Sequence, residues 1–351
     1  MEQPTYAGTD TGTITAVAPV QPAAEIVDWH NHGFRLWVGA VAVGLLLCLS
    51  GWTSWDVPGV IPELGAVTIT TAYAYALAVR TGGAPITSMI LAAGLGLLAL
   101  GSFFEQGILL SGVAIGTAAL AAILGTMLTQ PARRVRDAVR ELLVGVCVAV
   151  VGAFAVEAYR APIAVDRAGF VALAVALGGT LLLVYRLGAG LHGIGRRGTV
   201  VVLLGILLLF VALGYSEAVH QWGSGDLRGN IDDFVSGVRD LFGAVPRPTE
   251  FLLGFPALMW GASIRARRRQ GWWMCAFGSA GLTVVATSLL HPIPLTESAL
   301  VLGYSLVLGI VAGYLMIRLD AYLTGPRGRR ARQAEEELAH RPEPGRTRPL
   351  L

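Results

Sequence analysis

The chain has 351 residues, 54% of them hydrophobic and only 14% charged, where soluble domains carry about 25% charged residues. That balance excludes an ordinary soluble enzyme and places the chain in a lipid bilayer. The 26 basic side chains are all arginine and the formal net charge is +3, which gives no footing for a nucleic-acid partner; arginine without lysine, amid abundant Ala, Gly, Val and Leu, is the coding bias of a GC-rich bacterial genome.

Residues 1–33 are polar, rich in Thr, Ala and Pro, and lack helical period, so a disordered cytoplasmic tail is expected. Asp28, His30 and His32 form a D-x-H-x-H pattern there, which is too few ligands for a closed metal site. No cleavable signal peptide is visible, because Arg35 follows the polar tail and abuts the first apolar run.

From residue 34 to 320 the chain is a series of apolar runs. A helix needs roughly 20 residues to cross a core of about 30 Å. Runs of that kind fall at about 34–52, 59–80, 84–104, 107–128, 142–160, 163–186, 199–220, 250–266, 270–290 and 297–318. The expected fold is therefore all-α, a polytopic bundle of about ten transmembrane helices.

Arginine placement orients it. With the N-terminus inside, the inner turns hold Arg80, then Arg133, Arg134, Arg136 and Arg140, then Arg186, Arg196 and Arg197, then Arg265, Arg267, Arg268 and Arg269. The outer turns hold only Arg160, Arg167, Arg228, Arg239 and Arg247. This satisfies the positive-inside rule loop by loop and predicts a multi-pass cell-membrane protein with both termini cytoplasmic. Trp52, Trp55 and Trp222 then sit at outer ends and Trp37, Trp272 and Trp273 at inner ends, as interface anchors.

Between these spans, several local features stand out. The arginine-rich stretch Gln130–Glu141 fits a short interfacial helix on anionic lipid. Gly112 with Gly116, and Gly309 with Gly313, have G-x-x-x-G spacing and allow close helix approach. Gly178–Gly179 could mark a broken helix, and ten spans permit a five-plus-five inverted repeat, although the halves show no self-similarity. Gly188, Gly190 and Gly193 match G-x-G-x-x-G, but no strand precedes them, so they do not make a dinucleotide site and no cofactor is expected. Cys48, Cys147 and Cys275 lie in separate apolar runs and are expected as buried free thiols.

The long outer loop, 221–249, contains Ile231, Phe234, Val235, Val238, Leu241, Phe242 and Val245 at helical spacing. An amphipathic helix over 231–245 follows, lying on the outer surface or across the mouth of the bundle. The tail 321–351 alternates arginine and glutamate and is expected to be solvated in the cytoplasm. Either this tail or the outer helix is a candidate protein-partner contact.

Ionisable residues within spans are the best functional pointer in a membrane protein. Glu63, Glu105, Glu157, Asp166, Glu217, Glu250 and Glu297 all fall near outer ends. Glu217 lies eighteen residues after Thr199, about 27 Å along a helix, just inside the outer boundary. His220 is on the same helical face, at i+3. Glu157, Asp166, Glu105 and Glu250 are at a similar level. Glu157, Arg160, Asp166 and Arg167 also form a balanced charge group that would lock one outer hairpin. The candidate substrate or ion site is thus Glu217, His220, Glu157, Asp166, Arg167, Glu105 and Glu250. No metal motif and no nucleophile elbow is present.

Three functions fit. The first is a small-molecule transporter or permease with an acidic outer vestibule and a small molecule or ion as ligand. The second is a non-catalytic scaffold for envelope assembly. The third is an outer-face enzyme on lipid-linked substrate, with Glu217 and His220 doing the chemistry.

Overall fold

A backbone in hydrocarbon must satisfy its own polar groups, and an uninterrupted apolar run does so most directly as a helix. The computed structural model describes residues 24–53, 57–105, 107–187, 203, 205–207, 233, 236–237, 239–266, 271–291, 293–324, 343–346 and 348–350, without the side chains of 24–32, 105, 165, 166 and 324. Among the described residues every regular element is helical.

In chain order these are α1 (Ala24–Ser50), α2 (Val60–Arg80), α3 (Pro85–Glu105), α4 (Ile108–Met127), α5 (Val135–Ala158) and α6 (Val165–Arg186). A π-helical turn (Thr249–Gly254) then leads into α7 (Phe255–Arg265). After these come α8 (Gly271–Ala286), a 3-10 turn (Ser288–Leu290) and α9 (Leu295–Thr324). Among the described residues, eight helices are long and apolar enough to cross a membrane: α1 to α6, α8 with its 3-10 extension, and α9. The expected eighth span exists as the π turn plus the eleven residues of α7. The expected seventh span, 199–220, lies outside the described residues apart from helical positions at 203 and 205–207.

Two helix starts and one expected break differ from expectation. Helix α1 begins at Ala24, so residues 24–33 are its first turns rather than tail. Helix α5 begins at Val135, not near 142, and runs unbroken for 24 residues; the separate interfacial helix expected over Gln130–Glu141 does not form. The Asp137 carboxylate accepts the Arg134 backbone N–H at 3.2 Å and starts α5 early. Helix α6 runs through Gly178 and Gly179 without a break, because Gly179 faces Ile123 closely and serves packing. The irregular winding is instead the π turn that runs directly into α7.

Helix α8 is the axis of the bundle. It packs on α4, α5, α6, α7 and the π turn, and nearly every residue from Gly271 to Ala286 is buried. Its approach to α7 is almost backbone on backbone. A Cβ on Gly254 would lie 2.4 Å from the Gly281 Cα, and one on Gly261 would lie 2.5 Å from the Cys275 nitrogen. Without a hydrophobic drive between helices in lipid, such close small-residue contact is what holds them. Gly309 and Gly313 of α9 likewise receive Phe255 and Met259 of α7, whereas Gly112 and Gly116 have no described atom within 4 Å of a built Cβ.

Two residue groups change role. Trp272 and Trp273 are buried, not interface anchors; α8 starts inside the bundle, so its first turn faces protein. Cys48 and Cys275 are buried as expected, but Cys147 is exposed on the surface of α5.

Contacts divide the bundle into two ends. At one, Arg80 reaches Met127 and Arg265 reaches Thr129. At the other, Trp52 meets Phe154, Ser111 bonds to Pro162 and Arg239 pairs with Glu297. Helices adjacent in sequence therefore run up and down, as the arginine pattern requires.

Candidate functional site

Of the expected acidic group, only the side chains of Glu157, Arg167 and Glu250 are among the described residues. Glu217 and His220 lie outside them, as do the side chains of Glu105, which closes α3, and Asp166, in the first turn of α6. Arg167 is exposed and Glu157 is half-buried. Glu157 and Arg160 form no ion pair; the Arg160 guanidinium instead lies beside Gly59, 3.2 Å from where a Cβ would stand. Arg160 has a left-handed φ of 48°, which a non-glycine residue adopts at some cost and which aims its side chain across to the α1–α2 turn. Among the described residues no three His, Cys, Asp or Glu side chains are placed to hold a metal ion.

Glu250 is the exception. It sits in the π turn at 1% exposure. One carboxylate oxygen, Oε1, is 3.5 Å from Arg247 Nη1; the other, Oε2, has no hydrogen-bond partner among the described residues. The Arg247 backbone N–H donates to the Ser305 hydroxyl at 3.0 Å.

The contacts along α9 set its depth. Arg239 pairs with Glu297 at 3.3 Å, Phe242 packs edge-on against Tyr304 and accepts its hydroxyl hydrogen at 3.0 Å, and Arg247 meets Ser305. Residues 239–247 therefore descend along α9. Residues 239–242 form a helical turn ended by Gly243 at φ 76°, a left-handed C-cap that glycine adopts without a Cβ penalty. The rest of the expected 231–245 helix lies outside the described residues, apart from helical positions at 233 and 236–237.

Ser305 is eight residues beyond Glu297, about 12 Å along the helix axis. Arg265 is fifteen residues beyond Glu250, about 22 Å in the opposite direction. The two distances together span slightly more than a hydrocarbon core of about 30 Å. Glu250 thus lies well inside the bundle along its length, about 12 Å from the level of Glu297 and about 22 Å from that of Arg265. The sequence could not show this because Pro246 and Pro248 look like loop punctuation, while the fold uses them in a segment that enters the bundle.

The most polar buried region lies at the opposite end and was not anticipated. Arg80, Glu141 and Arg265 are all at or below 1% exposure. Arg265 stacks on the Trp272 ring with its guanidinium carbon 3.5 Å from the centroid. It donates to the Thr129 hydroxyl at 2.7 Å and the Thr129 carbonyl at 3.0 Å. Its ionic partner is Glu343 of the chain's own C-terminal segment, and its Nη1 also reaches the Cys275 sulfur at 3.8 Å. Glu141 accepts the Gln130 backbone N–H at 2.8 Å and both Arg346 guanidinium nitrogens at 2.6 Å. Arg80 donates to Met127 O at 3.0 Å and to the carbonyls of Gly345 and Arg348 at 2.7 Å, and the Leu350 N–H returns to Arg80 O at 2.9 Å.

Glu343–Leu350 is therefore a strap clasped across this end, and the solvated reading of the tail does not hold for it. The signal in the sequence was thin: Glu141 stands beside Arg140 in an arginine-rich stretch, and Glu343 and Arg346 are ordinary members of a charged tail. Only the fold pairs residues 78 and 205 positions apart. Comparison with protein-family models, curated proteins and solved structures gives no match to this chain.

Proposed function

We propose that the chain is a small-molecule transporter or permease of the cell membrane, with both termini cytoplasmic and its ligand approaching from the carboxylate-bearing outer face. The observation that supports this most is Glu250. A carboxylate buried in the hydrocarbon core with an unpartnered oxygen is costly, about 2.5–3.5 kcal/mol for a charge at the centre on insertion scales, and such groups mark solute or ion paths. It sits in a π turn that opens a helix, with a segment running along α9 before it. Such π turns concentrate at functional sites. In this reading Glu250 meets the solute or its coupling ion, Arg247 tempers the carboxylate, and the outer residues Glu157, Arg167, Asp166, Glu105, Glu217 and His220 form the approach. The amphipathic helix expected over 231–245 covers the mouth.

The scaffold reading draws on a different observation: the interior around α8 is alanine and glycine packed tightly, and among the described residues buried charge is confined to Glu250 and the strapped end. The enzyme reading rests on Glu217 and His220 alone.

The deciding experiment is gene deletion followed by metabolite profiling inside and outside the cell. Transport predicts at least one small molecule whose distribution across the membrane changes. Wild-type protein restores it, and Glu250→Gln, expressed at equal level, does not. Full restoration by Glu250→Gln, or no redistributed molecule, overturns the proposal.

A further inference from the structure

We infer that the strapped end of the bundle is a binding site for a carboxylate-bearing solute, and that Glu343 of the C-terminal segment is its built-in occupant. The carboxylate of Glu343 sits where such a solute would sit. Its receptor is fully formed: a guanidinium at 0% exposure, stacked on Trp272 and fixed by two bonds to Thr129. A planar guanidinium held this way recognises a carboxylate in a defined orientation. Beside it Arg80 is 1% exposed, and its Nη2 has no hydrogen-bond partner among the described residues. That is a second buried donor, with capacity to spare.

The fixed groups are two guanidiniums, Arg80 and Arg265, against one carboxylate, Glu141. The bare site is thus positive and selects anions. The strap neutralises each charge in turn, Glu343 on Arg265 and Arg346 on Glu141. It can also leave. Without it, Arg265 keeps Thr129 and Trp272, Arg80 keeps Met127 O, and Glu141 keeps the Gln130 N–H and Arg140, whose Nη2 is 3.0 Å from Oε1. Each charge keeps some bond, but the two guanidiniums then face the vacated place without a counter-charge, so strap and solute carboxylate compete for one place. Glu343 retains 11% side-chain exposure and Arg346 24%, so both can be drawn off from the solvent side.

Cys275 reports on the site. Its thiol is fully buried directly behind Arg265, 3.8 Å from Nη1. In a Cys48→Ala/Cys147→Ala background it is the sole thiol. Two methanethiosulfonate reagents of similar size are compared on purified protein in detergent, one carrying a sulfonate and one a trimethylammonium group. The full chain is expected to label slowly with both. Glu343→Gln/Arg346→Gln should speed labelling by the sulfonate reagent about tenfold, with the cationic reagent lagging, as expected of a positive mouth. Added succinate should slow that reaction, and a synthetic peptide of residues 343–351 should do the same.

The inference is overturned if Cys275 stays unreactive in a natively eluting double variant, if the two reagents react equally, or if succinate does not protect. Where the double variant loses its native elution profile, Glu343→Gln alone is judged by the same criteria. The measurement needs no transport, so its outcome and that of the metabolite profiling stand separately.

Discussion

Glu141→Ala is the sharpest test of the strapped end. In the native protein the Glu141 carboxylate is fully buried and accepts from the Gln130 N–H at 2.8 Å, from Arg140 Nε at 3.1 Å and from Arg346 twice at 2.6 Å. Removing one partner of a buried ion pair costs about 3–5 kcal/mol, mainly through the charge left behind. Here the surviving partner is not trapped, because Arg346 is 24% exposed and can rotate to water. That leaves the lost charge-assisted bonds and an orphaned Gln130 N–H, and places the loss near the lower end, about 3 kcal/mol, or roughly a hundredfold in the unfolding equilibrium. Glu141→Gln keeps one acceptor and should lose about half as much. Arg346→Ala should cost less than Glu141→Ala, since Arg140 and the Gln130 N–H still serve the carboxylate, and the double variant should fall short of the sum by at least about 1 kcal/mol, the mark of direct coupling. Equilibrium unfolding in mixed detergent and SDS micelles measures all four. A loss under about 1 kcal/mol for Glu141→Ala, or strict additivity in the cycle, would refute the pairing.

Three further outcomes follow from the packing and the topology. Gly281→Ala places a Cβ 2.8 Å from the Gly254 Cα and should destabilise by about 1–3 kcal/mol through overpacking, whereas Gly112→Ala enters open space and should be neutral or gain up to about 1 kcal/mol in helix propensity; similar behaviour of the two in the same unfolding assay would contradict the α7–α8 contact. Arg239→Ala should leave stability unchanged, because its pair with Glu297 has the arginine 58% exposed and exposed pairs contribute little; a clear loss would give this pair an unexpected role in holding the descending segment. A phosphatase reporter active only outside the cytoplasm should work when fused after Gly59 and stay silent when fused after Gly83, and the reverse pattern would invert the orientation.

Much of the fold was legible in the chain alone. Seven of the ten expected spans correspond closely to described helices, because a run of about twenty apolar residues in lipid has one economical way to satisfy its backbone. Alternating arginine content matched the separation of the two ends, since Arg80 and Arg265 gather at one and Arg160 and Arg239 at the other. Early helix starts were missed because a charged turn such as Val135–Glu141 continues a helix with Ala138 and Glu141 buried against protein and Arg136 and Arg140 left exposed.

The site was less legible, and the reason is physical. Sequence placed Glu250 near an outer end, level with the other carboxylates. Its position along the bundle follows from the 239–247 segment running along α9, which contacts such as Arg247 with Ser305 establish. Trp272 had the composition of an interface anchor and became the stacking plate for Arg265. The pairing of Glu141 with Arg346 and of Arg265 with Glu343 joins the start of α5 and the end of α7 to a tail far along the chain, and no local pattern encodes it. Length, apolar period and arginine asymmetry thus determined what crosses the membrane, because hydrocarbon judges each segment by itself. Which buried charges meet was decided only by tertiary structure, because a charge withdrawn from water needs a specific partner, and the fold alone chooses which one arrives.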